Sequence, residues 1–329
     1  MPSAIDGPAG LVVILGTGGT IAGTTAGSSA GAAGHLGYQA GVLGAEALVA
    51  AVPALQGLAL ETETVARLDS CDMDHATWVA LAARAALHLA RPEVAGVVIT
   101  HGTDTLEESA YFLHRTVAAV KPLVLTAAMR PASALSPDGP QNLFDAVTLA
   151  RTPGVRGVLA VLGGVVHAGA SLRKLHGYRV DAFGSGDAGP VALLEDGRVR
   201  LLRAWPDAAL HACVTVAAER LHDAAGWPVV DIVTSHAGAR SAVIDALVAA
   251  GAQGLVIAGT GNGSVHRELR VAALRAQAAG VRVWRSSRCP LGGVVEAAAG
   301  PASEVLPSAG VLTPVQARIE LMLDLLAAG

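Results

Sequence analysis

Short aliphatic runs recur along the chain at Leu11–Leu15, Gly96–Thr100, Pro122–Ala127, Gly157–Leu162, Val229–Thr234, Leu255–Ala258 and Val281–Trp284. Within each run the apolar residues are mostly continuous rather than alternating, the pattern of strands covered on both faces, as in a parallel sheet. Between runs, apolar positions repeat at helical spacing. After Asp74, a fitting N-cap, Trp78, Leu81, Ala82, Ala85 and Leu89 share one face, and the helix should end before Pro92. Thr105-Leu-Glu-Glu108 has the spacing of a capping box and predicts where the next helix starts. Strands alternating with helices predict an α/β fold, here two domains with parallel-rich sheets flanked by helices. The alternation breaks over residues 203–228, where two Trp-Pro steps disfavour helix locally. The expected organisation is an N-terminal domain over 1–204, a connection over 205–227 and a smaller C-terminal domain over 228–329.

Composition narrows the function. A chain of 329 residues with 52% hydrophobic and 15% charged residues is not a disordered one. Only 3% of residues are aromatic, so stacking platforms for nucleic acid are not expected, and a net charge of −4 supplies no basic footprint for it. A small polar substrate fits better. The mean hydropathy of +0.49 raises the membrane question. Residues 7–34 carry no charge, but their continuous apolar part, Leu11–Leu15, is far below the roughly 18 residues of a spanning helix, so no membrane association is expected. The N-terminus has no positive region ahead of an apolar stretch, so no signal peptide is expected. Cys71, Cys213 and Cys289 lie far apart without a C-x-x-C pair, which predicts neither disulfide nor zinc site and suits the cytoplasm. The eleven histidines lack metal-ligand spacing, and no metal is expected.

Candidate chemistry begins where the first aliphatic run meets Gly16-Thr-Gly-Gly-Thr-Ile-Ala-Gly23. Thr17 stands just past the end of a buried strand, the edge where open parallel sheets bind ligands. The glycines alone would equally suit a tight turn or a phosphate loop. A P-loop, however, needs a Lys that is missing here, and G-x-G-x-x-G needs Gly where Ile21 stands. The second run leads into His101-Gly-Thr-Asp-Thr105, so a parallel sheet would let Thr103 face Thr17. Backbone N–H groups there could face an anion or oxyanion, although plain helix capping by Thr103, Asp104 and Thr105 explains the same residues. Lys121 and Lys174 are the chain's two lysines among 23 basic residues. Lys174 is therefore a candidate for a task closed to arginine, since a guanidinium keeps its proton while a buried ammonium can lose it. The Gly, Ala and Ser content of residues 24–37 predicts a loop, either a lid or a tolerated insertion.

Taken together, Thr17-Gly-Gly-Thr-Ile-Ala22, His101-Gly-Thr-Asp-Thr105, Ala128-Met-Arg-Pro131, Asp138-Gly-Pro140 with Asn142-Leu143, Gly261-Asn-Gly263 and Arg285-Ser-Ser-Arg288 resemble the signatures of the bacterial L-asparaginase family, in the family's order. The resemblance implies an amide hydrolase that hydrolyses L-asparagine without a cofactor, two α/β domains, and a homotetramer built as a dimer of dimers. It implies that Thr17 is the nucleophile, that Tyr38 on the mobile loop bonds to it, and that Thr103, Lys174 and Asp104 form a second set activating the nucleophile or the hydrolytic water. Ser70 and Asp104 match residues holding the substrate's α-carboxylate and α-ammonium. Asn262 matches a residue contributed to the site of a neighbouring subunit.

Three departures stand out. The loop between Thr17 and Tyr38 is long for the family. Cys71 stands where the family usually has a Gln that contacts the substrate's amino group. The partner-contributed glutamate has no clear match, Glu296 in Gly293-Val-Val-Glu-Ala-Ala-Ala299 being the nearest candidate, about a turn away. Broad glutaminase-asparaginase activity and a non-catalytic aspartate-binding protein on the same fold are the alternatives, and the intact Thr17, Tyr38, Thr103, Asp104 and Lys174 argue against the second.

Overall fold

A computed structural model describes residues 10–19, 21, 23–25, 38–39, 44–296 and 306–329, with 24, 25, 38 and 39 described by their backbone alone. The chain divides into two compact units, Met1–Leu210 and His211–Gly329. Between the two Trp-Pro steps of the expected connection it forms two short helices, Cys213–Val216 and Ala218–His222.

The first unit is built on an eight-stranded sheet. In chain order its described strands are β1 (Leu11–Gly18), β2 (Thr24–Thr25), β3 (Tyr38–Gln39), β4 (Leu60–Leu68), β5 (Val94–Thr100), β6 (Pro122–Thr126), β7 (Gly157–Leu162), β8 (Val165–Ala168), β9 (Arg173–Lys174), β10 (Phe183–Gly184), β11 (Ala192–Glu195) and β12 (Arg198–Leu201). The large sheet runs β12-β11-β8-β7-β6-β5-β1-β4. Its five strands β4, β1, β5, β6 and β7 are parallel, and β8, β11 and β12 continue it antiparallel. Every residue of β6 and β7 is buried, as continuous apolar runs require of strands with both faces covered. β4 does not read as such a strand, because LETETVARL interleaves charge with apolar residues. It is an edge strand, and its Glu63 and Glu61 pair with Arg84, Arg91 and His88 of the neighbouring helix region.

Helices α1 (Ala45–Ala50), α2 (His75–Leu89), α3 (Leu106–Thr116) and α4 (Gly139–Arg151) belong to this unit. Asp74 caps α2 as expected, its carboxylate accepting the Thr77 N–H at 2.7 Å, and Trp78, Leu81, Ala85 and Leu89 are buried. The capping box expected at Thr105 does not form. Thr105 precedes α3, but its side chain makes no cap bond; the hydroxyl donates instead to the carbonyl of Ser70 at 2.7 Å. A long-range bond to the loop after β4 has taken the place of the local one.

The second unit holds β13 (Val230–Thr234), β14 (Gly254–Gly259) and β15 (Arg282–Ser287), all parallel, in that spatial order. Helices α5 (Cys213–Val216), α6 (Ala218–His222), α7 (Ala242–Ala249), α8 (Arg267–Ala278) and α9 (Pro314–Ala328) complete it. Thr313 and Gln316 form a reciprocal capping box at the start of α9. Among the described residues no helix is long and apolar enough to cross a membrane.

Candidate active site

Strand order fixes where the site must be. The parallel strands on one side of β1 are β5, β6 and β7, while β4 lies on the other, so the order reverses at the β1–β5 boundary. At such a switch point the loops leaving the two carboxyl ends diverge and open a crevice. β1 runs on through Gly18, so Thr17, expected just past the strand, is its next-to-last residue, and the loop after β5 carries His101, Gly102, Thr103 and Asp104.

The two loops touch through backbone. A Cβ on Gly19 would lie 2.3 Å from the Gly102 Cα, and one on Gly102 would lie 2.4 Å from the Ser70 Oγ. Gly19 also has φ +79°, a region that favours glycine. Several loop donors are already engaged: the Gly19 N–H with Leu68 O at 3.0 Å, the His101 N–H with Thr126 O at 2.9 Å, and the Asp104 N–H with Ser70 Oγ at 3.0 Å. These bonds fix the loops rather than wait for a ligand.

Thr17 is buried, and its hydroxyl donates to the Thr100 carbonyl at 3.1 Å. A carbonyl cannot accept the proton outright, so activation requires that proton to be redirected toward a base. Lys174 reaches across from β9: its Nζ donates to Thr103 Oγ1 at 3.0 Å and to Asp104 Oδ1 at 2.5 Å. Its side chain is 16% exposed, against 54% for Asp104, so the triad runs from a sheltered lysine to an accessible carboxylate. Thr17, Ser70, Thr103, Asp104 and Lys174 thus all lie at this one edge, on the end of β1, on the loops beside it or on the ribbon reaching it. Cys71, next to buried Ser70, is exposed. Partial desolvation and then the carboxylates of Asp69, Asp72 and Asp104 push its thiol up, which disfavours the thiolate and any nucleophilic role.

Tyr38 pairs by its backbone with Thr25; its side chain and residues 26–37 lie outside the described residues. Asn262 and Glu296 belong to the second unit. Asn262 is bonded twice to Val295, Nδ2 donating to its carbonyl at 2.9 Å and Oδ1 accepting its N–H at 2.7 Å. Glu296, the next residue, is exposed. Among the described residues no three His, Cys, Asp or Glu side chains gather as a metal-ligand set.

Other motifs prove to be braces. Asp138 accepts the N–H groups of Met129 and Arg130 at 3.0 and 2.9 Å, and buried Asn142 joins the Ala127 carbonyl to the Gly163 N–H. Sequence reasoning missed a buried line behind the second loop. The Trp78 indole N–H donates to Ser109 Oγ at 2.8 Å, which lies 2.9 Å from His101 Nε2, and His101 Nδ1 lies 2.7 Å from the Gly102 carbonyl. Because that carbonyl can only accept, Nδ1 carries the proton and Nε2 accepts from the serine. Complete burial holds His101 down to about 4, so it stays neutral near pH 7.

Residues 11–207 match the family model Asparaginase, N-terminal, and residues 229–328 match Glutaminase/Asparaginase C-terminal domain. The chain belongs to the asparaginase family. It is 38% identical over 319 residues to L-asparaginase 2 of Escherichia coli (strain K12), covering 95% of this chain and 88% of that one. It is 36% identical over 288 residues to the glutaminase-asparaginase of Pseudomonas fluorescens biotype A, covering 86% and 77%. A probable cytoplasmic L-asparaginase from Campylobacter jejuni superposes with a TM-score of 0.86 at 35% identity, covering 96% of this chain and 95% of that one. The asparaginase fold, two units each with a parallel-rich sheet flanked by helices, is therefore the fold expected from the sequence.

Proposed function

We propose that the protein hydrolyses L-asparagine to L-aspartate and ammonia through an ester on Thr17. The observation that carries the reading is the contact of Lys174 with both Thr103 and Asp104 beside the strand end that bears Thr17. Thr17 Oγ1 attacks the side-chain amide carbon, the C–N bond breaks as the nitrogen takes up a proton, and ammonia leaves. Water then attacks the ester, releasing aspartate and returning the proton to Thr17. An amine form of Lys174 would accept a proton from Thr103 along the same 3.0 Å line, and Asp104 holds the lysine in place. Positioned proton transfer of this kind is worth on the order of 10²–10⁴-fold. The α-carboxylate and α-ammonium of the substrate are assigned to Ser70 and Asp104.

We further propose a homotetramer, a dimer of dimers, in which Asn262 and Glu296 complete the site of a neighbouring subunit. A cytoplasmic location is supported by the three free cysteines. Glutamine is the second reading, supported by the 36% identity to the glutaminase-asparaginase of Pseudomonas fluorescens biotype A. The test is ammonia release from L-asparagine, L-glutamine and D-asparagine by the protein and by Thr17→Val. L-asparagine should turn over fastest and the variant should be silent; an active Thr17→Val would overturn the nucleophile.

A further inference from the structure

The lysine ribbon is a weakly supported element. β9 and β10 have two residues each and form a sheet of their own, apart from the eight-stranded one, and isolated two-stranded ribbons are marginal in water. In such a ribbon successive N–H groups point to opposite sides. The Leu175 N–H points inward, donating to Ala182 O at 2.7 Å, so the Lys174 N–H points outward and needs a partner beyond the ribbon. Helix α3 packs against β9, and the carboxylate of its second residue, Glu107, accepts that N–H.

Resting on the reading of Lys174 given above, we propose that Glu107 is a positioning residue: by accepting the Lys174 main-chain N–H it ties the ribbon to the helix that starts beside Thr103 and Asp104. The lysine and the residues it serves are then set by one rigid element. Holding a carboxylate there is unfavourable. Burial, with Glu108 adding to it, pushes Glu107 up to about 7, against the opposing pull of the Lys174 N–H and the charges of Arg173 and Lys174. A group kept at such a cost at the back of a catalytic lysine fits a geometric task better than a stabilising one.

The experiment compares the parent protein with Glu107→Gln and Glu107→Ala, reading kcat, KM and the hydrogen exchange of the Lys174 amide. The glutamine carbonyl can accept the same N–H, so E107Q should keep kcat within about threefold and protect that amide. E107A should lower kcat by about 10–100-fold with KM within about twofold, as expected when a catalytic group is misplaced while substrate binding is kept, and should expose the amide to exchange. Parent-like exchange in E107A, or equal kcat losses in the two variants, overturns the proposal. A parent that releases no ammonia, with the amide protected in E107Q and released in E107A, supports the anchor while removing the asparaginase reading.

Discussion

Gly19 and Gly102 meet backbone to backbone, so closely that a methyl group on Gly19 would stand 2.3 Å from the Gly102 Cα. This contact sets the spacing between the end of β1, which bears Thr17, and the loop bearing Thr103. Gly102→Ala should drive its new methyl into Ser70, 2.4 Å away, and lower kcat/KM by about 100-fold or more through misplacement alone. The check is turnover beside an unchanged far-ultraviolet circular dichroism spectrum. Normal turnover would mean that the loops adjust freely.

Lys174→Arg preserves the charge facing Asp104 but offers no group that can take the Thr103 proton. It should reduce kcat by about 10²–10⁴-fold, with the protein still folded. A variant with normal kcat would reduce Lys174 to a structural cation.

Acid and base should destabilise the protein through different groups. Burial holds His101 and His167 down to about 4. Their contribution is therefore complete above the ordinary histidine value of about 6.5 and is lost as pH falls through 4. Asp145 is pushed up to about 6 by burial, so its contribution is complete below the ordinary aspartate value and lost as pH rises through 6. Asp145→Asn, which can still accept the Gln141 bond, should raise Tm at pH 8 by about 2–4 °C and do little at pH 4. His167→Gln should flatten the loss of Tm between pH 6.5 and 4.

Asn262 and Glu296 should behave as one unit, because Asn262 grips the residue beside Glu296 through two bonds. Asn262→Ala and Glu296→Ala should each raise KM for asparagine, and the double variant should lose less than the sum of the two by about 0.5 kcal/mol or more. Strict additivity in this cycle would show that Asn262 acts independently of the 295–296 segment.

Cys71→Gln places an amide beside Ser70. One hydrogen bond to a charged group is worth about 1.5–3 kcal/mol, so KM for asparagine should fall by about tenfold or more, with glutamine affected at least as much. An unchanged KM for both would put residue 71 outside the substrate pocket.

The sequence by itself determined the α/β class, the parallel strands and the loop that carries Thr103 and Asp104, and it placed Thr17 at the carboxyl end of its strand, although β1 extends past Thr17 to Gly18. Buried parallel strands must be continuously apolar, and the residues at their carboxyl ends are then identifiable by position. Lys174 was singled out by composition, as one of two lysines in an arginine-rich chain. Tertiary structure alone decided what depends on distant partners. β4 escaped notice because an edge strand with charged residues has no distinctive period. The Thr105 hydroxyl chose Ser70 over its own helix, since a fixed carbonyl 35 residues away in sequence was nearer to hand than the local cap. The neutral state of His101 and the raised carboxyl of Glu107 come from burial, which no local sequence pattern encodes. The reach of Lys174 to Thr103, across 71 residues, exists only because sheet order and ribbon together bring them to one edge.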